Sequence, residues 1–180
     1  MSDEQRREEA GFDGGLVTGA LRMGRLVWVE RSLATALGTA LGRTDDDALV
    51  VALADRIRGH VARAALVEAR LPTLREFPLD TLTGGAGLDG WSEYLESLDE
   101  VDAAAVLAAR DTVVLPLVVA AYDRVLSSAS PVGAPSMRRT LAPVVAELSA
   151  ELDRSGDSGR SDQVEAPVPT AQPSLEPLDR

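Results

Sequence analysis

Along residues 16–71 the apolar positions recur in steps of three and four, the spacing of a helix that turns one face to a core. The first run carries Leu16, Ala20, Met23, Val27, Ala34, Leu37 and Leu41, and the member missing from its apolar seam is Glu30. The second run carries Val50, Leu53, Ile57, Ala64, Val67 and Leu71, interrupted by His60. The pattern predicts a helical hairpin that turns near Arg43 and Thr44, with one polar residue on each inner face. At about 1.5 Å of rise per residue, Glu30 lies roughly 20 Å from the turn and His60 roughly 24 Å. In an antiparallel pair the two residues therefore stand within about one helical turn of the same level.

Taken in order, residues 1–13 read as a flexible, charged N-terminus. A helix is expected over residues 15–41, closed by Gly42, and a second begins after Thr44 and the acidic run Asp45, Asp46 and Asp47. Pro72 ends that helix at Leu71, because the residue before a proline is driven out of helical geometry. Residues 72–98 form a long connection, irregular at Pro78 and through residues 83–87, with a short helix over residues 91–98. A third long helix is expected from Asp99 to about Ser127, kinked by Pro116. A fourth starts around Pro135, and Pro143 either kinks it or marks a later start. The expected divisions are a flexible segment 1–13, a helical bundle 14–154 and a disordered acidic, Pro-rich tail 155–180.

Composition narrows the chemistry. The chain has no Cys and no Lys, so a disulfide framework, a thiolate metal site, a cysteine nucleophile and a P-loop are all excluded. A net charge of −11 opposes non-specific nucleic-acid binding, which needs a basic footprint. Only 3% of residues are aromatic, so the core must be built from Ala, Leu and Val, as in close-packed helices. No signal peptide is visible, and no apolar stretch is expected to reach the roughly 18 residues that span a bilayer. The expected compartment is the cytoplasm, without nucleic-acid or membrane partners.

Three segments carry a resemblance. Residues 59–66 (GHVARAAL) with Arg70, Leu71 and Pro72, residues 115–122 (LPLVVAAY) and residues 129–132 (ASPV) resemble a ferritin-like group of bacterial proteins. The likeness covers residues 15–154. It implies an all-α fold, a ferritin-like antiparallel four-helix bundle with a long connection between its second and third helices. In that superfamily a di-metal centre takes a Glu from each of two helices and a Glu-x-x-His from each of the other two. The resemblance places Glu30 at a first-helix carboxylate position and His60 at a second-helix imidazole position. It is similar to the pattern only in part. Ile57 stands where the bridging Glu of the second helix belongs, Asp111 replaces a Glu on the third, and the fourth offers Glu147 and Glu151 without a histidine.

The metal-ligand candidates are thus Glu30, His60, Asp111 and Glu147, with iron or manganese as the cofactor they would hold. The plainer use of the same residues is structural. Glu30 takes an ion pair with an Arg such as Arg56 or Arg63, or keeps a raised pKa, and His60 is a neutral core histidine bonded to Glu30 itself. On that account Glu30→Gln is mild and Glu30→Leu costs about 1–3 kcal/mol. Trp28 and Tyr122 read as packing residues. The sequence favours a non-catalytic ferritin-like bundle, without a cofactor, that acts through its surface or an apolar pocket and has a protein partner or self-associates. The alternatives are a metalloprotein with a reduced site at Glu30 and His60, and a scaffold or cargo protein docking through the tail.

Overall fold

The computed structural model describes residues 3–72, 78–85, 87–130 and 134–158, with side-chain surroundings for those between 17 and 155. Every regular element among the described residues is helical: α1 (Asp3–Leu41), α2 (Asp47–Glu68), α3 (Leu79–Leu82), α4 (Asp89–Ser97), α5 (Ala103–Ala109), α6 (Leu115–Ser128) and α7 (Pro135–Ser158). A 3-10 turn, Leu98–Glu100, follows α4, and a π-helical turn, Arg110–Val114, joins α5 to α6 without a break.

The hairpin forms where the apolar spacing puts it. Ala20, Met23, Val27 and Leu37 of α1 are buried, together with Leu26, Val29, Leu33 and Ala40, so the buried stripe is wider than a single seam. Gly42 and Arg43 close α1. The cap of α2 is Asp46 rather than Thr44: its carboxylate accepts from Ala48 N at 2.8 Å and Leu49 N at 3.1 Å, while the Thr44 hydroxyl accepts from Asp46 N at 3.2 Å.

Contacts between side chains fix the run of the chain. Arg43, at the turn, donates to the carbonyls of Leu98 and Asp99 and shares a cleft with Asp102 and Ala103, so α5 begins at the hairpin's closed end. Arg138 of α7 donates to the carbonyls of Leu126 and Ala129 at 3.0 Å each, closing α6 and joining it to the start of α7. Gly19 of α1 faces Met137 at that same open end. Thus α1 and α7 run one way, α2 and the Ala103–Ser128 helix run the other, and the described residues between 78 and 102 lead back along the molecule. That return leg is held to α1 by close approach. A Cβ on Gly24 would stand 1.9 Å from the Leu82 carbonyl oxygen, and one on Gly85 would stand 2.4 Å from the Trp28 ring.

Several boundaries depart from expectation. The helix expected from residue 15 begins at Asp3, so Gly11, Gly14 and Gly15 do not break it. The third long helix starts at Ala103, because Asp102 caps it through Ala105 N at 2.7 Å and the preceding residues are tightened into the 3-10 turn. Pro143 lies inside α7, and α7 continues past residue 154 to Ser158. The tail beyond that point lies outside the described residues. The expectation that no stretch is apolar enough to span a bilayer is also corrected. The 26-residue helix Ala103–Ser128 meets the length and composition, with mean hydropathy 1.8 over its most apolar window, 44% of which is buried inside the fold.

Pro116 acts through the π turn. Leu115 N–H bonds back to the Arg110 carbonyl, five residues earlier, which widens the helix at the point where Pro116 has no N–H to give. The turn presents Arg110 and Val114 to the interior together.

Candidate functional site: a buried ion network

At mid-height, α1, α2, the π turn and α7 converge on a set of charged side chains. Glu30 is fully buried, and His60, Arg63 and Arg110 are nearly so. His60 and Arg63, one turn apart on α2, share a face and reach the same carboxylate. His60 Nδ1 lies 2.5 Å from Glu30 Oε2, and Arg63 Nε donates to Glu30 Oε1 at 3.0 Å. Gly59 leaves room for this guanidinium, since a Cβ there would lie 3.2 Å from Arg63 Nη1.

The far side of the imidazole meets Arg110, whose Nε donates to His60 Nε2 at 3.3 Å. A nitrogen that accepts cannot carry the proton, so the hydrogen of the neutral ring sits on Nδ1 and is donated to Glu30. The 3.0 Å approach of Arg63 Nη2 to the same Nδ1 is then a contact and not a hydrogen bond. Arg110 Nη1 goes on to Asp111 Oδ1 and Glu151 Oε1, both at 2.6 Å. Arg56 completes the set, with Nη1 3.1 Å from Glu151 Oε1 and Nη2 3.3 Å from Asp111 Oδ2.

Protonation follows from this arrangement. Burial raises the cost of charge on Glu30, but the His60 hydrogen bond and the Arg63 guanidinium outweigh it and hold the carboxyl below its ordinary value. Burial pushes the His60 pKa down, against the pull of Glu30, and Arg63 and Arg110 push the same way. Glu151 is likewise held low against desolvation by Arg110, Arg56 and Arg63. Tyr122 is pushed well up by burial and by the Glu30 charge beside it, although its hydroxyl makes no well-formed hydrogen bond. Three carboxylates (Glu30, Asp111, Glu151) thus face three guanidiniums (Arg56, Arg63, Arg110) around a neutral imidazole. The network closes on itself in charge.

Of the four residues expected as metal ligands, the fold brings Glu30 and His60 into contact. It sets Asp111 among Arg56 and Arg110, and it leaves Glu147 at the rim, its side chain 62% exposed and 3.7 Å from Arg63. These residues do not fit a di-metal centre. Both Glu30 oxygens and both Asp111 oxygens already accept from nitrogen donors, and a divalent cation would sit against three guanidiniums. Among the described residues no group of three or more His, Asp or Glu side chains converges as ligands would. Arg63 is one of the two partners the sequence offered for Glu30. Arg110 is the member it did not offer, although it stands out as the only cation within the apolar run 103–119.

Neither a protein-family model nor a curated protein nor a solved structure matches the chain.

Proposed function

We propose that the chain is a non-catalytic ferritin-like helical bundle in which an ion network fills the place of a metal centre, and which acts through its surface. The observation that carries this reading is the engagement of both Glu30 oxygens by His60 and Arg63, so that a cation approaching the carboxylate would meet a guanidinium beside it. Support for the ferritin-like part comes from the run of the helices, with α1 and α7 opposed to α2 and α5–α6 and a long return leg between the pairs. Among the described residues, the size and lining of two clefts favour surface over pocket. The clefts at Arg43, Leu49 and Val101 and at Ser32, Ala36 and Leu95 measure about 190 and 240 Å³, below the range of small-molecule sites, and both are edged by polar side chains. No observation advances docking through the tail, whose residues 159–180 lie outside the described set.

Elemental analysis of the purified protein, with an iron-oxidation assay after aerobic iron addition, tests the reading. The expected result is no stoichiometric iron or manganese and no ferroxidase activity. One or two equivalents of either metal, lost on His60→Ala, would overturn it in favour of a reduced site at Glu30, His60, Asp111 and Glu147.

A further inference from the structure

The large apolar side chains that stand exposed among the described residues are Val51 at 62%, Val61 at 53%, Leu66 at 42% and Leu79 at 49%. Three of the four lie on α2 and the fourth opens the next helix. On α2 these residues share the outer face with Ala48, Ala62, Ala65 and Ala69, all exposed. Near the middle of that face stand two charged residues, Asp55 and Arg58, one turn apart and joined by an ion pair, with side chains 54% and 78% exposed.

We infer that this face of α2 packs against the same face of a second copy of the chain, antiparallel about a two-fold axis. The inference deepens the reading that the protein acts through its surface, by naming the surface and its occupant. A two-fold interface must be complementary to itself, since each residue meets its counterpart's neighbour across the axis. An axis between residues 56 and 57, close to the middle of α2, meets this requirement along the centre of the face. Asp55 of one copy faces Arg58 of the other, and the reverse holds at the same time, so the two existing ion pairs combine into a square of alternating charge. The same axis sets Val51 against Ala62 and Ala48 against Ala65, a large residue against a small one and two small ones together, which permits close approach of the helices. A foreign partner would have to supply both the charge order and the reciprocal steps in size, whereas a second copy supplies them by symmetry.

The helix is about 33 Å long and about 10 Å across, which gives a footprint below the roughly 800 Å² per partner of stable complexes. The dimer is therefore weak and depends on concentration.

Sedimentation analysis of the full chain over a wide concentration range should show a reversible monomer–dimer equilibrium. Arg58→Asp sets four carboxylates together and should weaken it by about tenfold or more, and the exchange of both charges in D55R/R58D should restore it. Because these side chains are exposed, circular dichroism should be unchanged in all variants. The absence of native Cys gives a geometric check: V51C/A62C should form an intermolecular disulfide on mild oxidation, and V51C alone should not. A chain that stays monomeric at every concentration, or a dimer indifferent to Arg58→Asp, overturns the inference. Neither result touches the metal-free reading of the interior, which is judged by elemental analysis.

Discussion

His60 Nδ1 lies 2.5 Å from Glu30 Oε2, and the two side chains are 1% and 0% exposed. This contact joins α1 to α2 at the level where their apolar seams are each interrupted once. A buried carboxylate that accepts from an imidazole N–H and from a guanidinium is a strong acceptor with no alternative in solvent.

The first expected outcome concerns Glu30. If His60 were its only partner, Gln would be a mild replacement. Arg63 removes that mildness, because Gln leaves a buried guanidinium without its counter-charge. Glu30→Gln should cost about 1–3 kcal/mol and Glu30→Leu about 3–5 kcal/mol. Urea unfolding midpoints measure both, and a Glu30→Leu protein as stable as the parent would contradict the network.

Stability should fall in acid in two stages. The folded His60 has a lowered pKa, so the unfolded chain binds its proton first as pH drops, and this contribution is whole above about 6.5 and is lost below it. Glu30 and Glu151 are lowered as well, so a second loss follows below about 4.5. Denaturant midpoints across this range should be flat above neutrality and then decline. His60→Gln should flatten the upper stage and leave the lower one. A midpoint that does not change from pH 8 to pH 5 would count against the buried, neutral imidazole.

One substitution made twice on α1 should have opposite signs. Gly24→Ala drives a methyl into the Leu82 carbonyl and should destabilise by about 1–3 kcal/mol or more. Gly38→Ala meets nothing within 4 Å in the same helix and should stabilise by up to about 1 kcal/mol through helix propensity. Thermal melts of the two variants decide it. Equal shifts would show that the return leg does not press on α1.

Replacing the interacting side chains together should be milder than replacing one. Glu30→Leu strands His60 and Arg63, whereas Glu30→Leu with His60→Leu and Arg63→Met removes the polar groups that would be stranded. The triple variant should regain at least half of the single variant's loss in a denaturant titration. Losses that simply add would mean that the side chains act independently.

How far the sequence discloses this arrangement can be followed residue by residue. The inward placement of Glu30 and His60 was legible because a period of three and four residues assigns both to the seam, and counting from the turn matches their heights. Asp111 was harder, because the regular period fails where it stands: the π turn shifts the face of the helix by a residue and brings Arg110 to the interior. Pro116 was the visible sign of that irregularity, but a proline reports a lost hydrogen bond and not whether the helix bends or widens in response. The early start of α1 was hidden by Gly11, Gly14 and Gly15, whose low intrinsic propensity the continuous helix overrides.

The ion network gathers members from α1, α2, the π turn and α7, and this shapes the mutational paths open to the chain. A change at Glu30 leaves Arg63 charged and dry, while a concerted apolar replacement is close to neutral. Lineages carrying this interior are therefore held in it by single-step costs even where the endpoint is no less stable. Variation should collect on the outer faces of the helices away from the α2 contact, and the interior should change, where it changes at all, in groups.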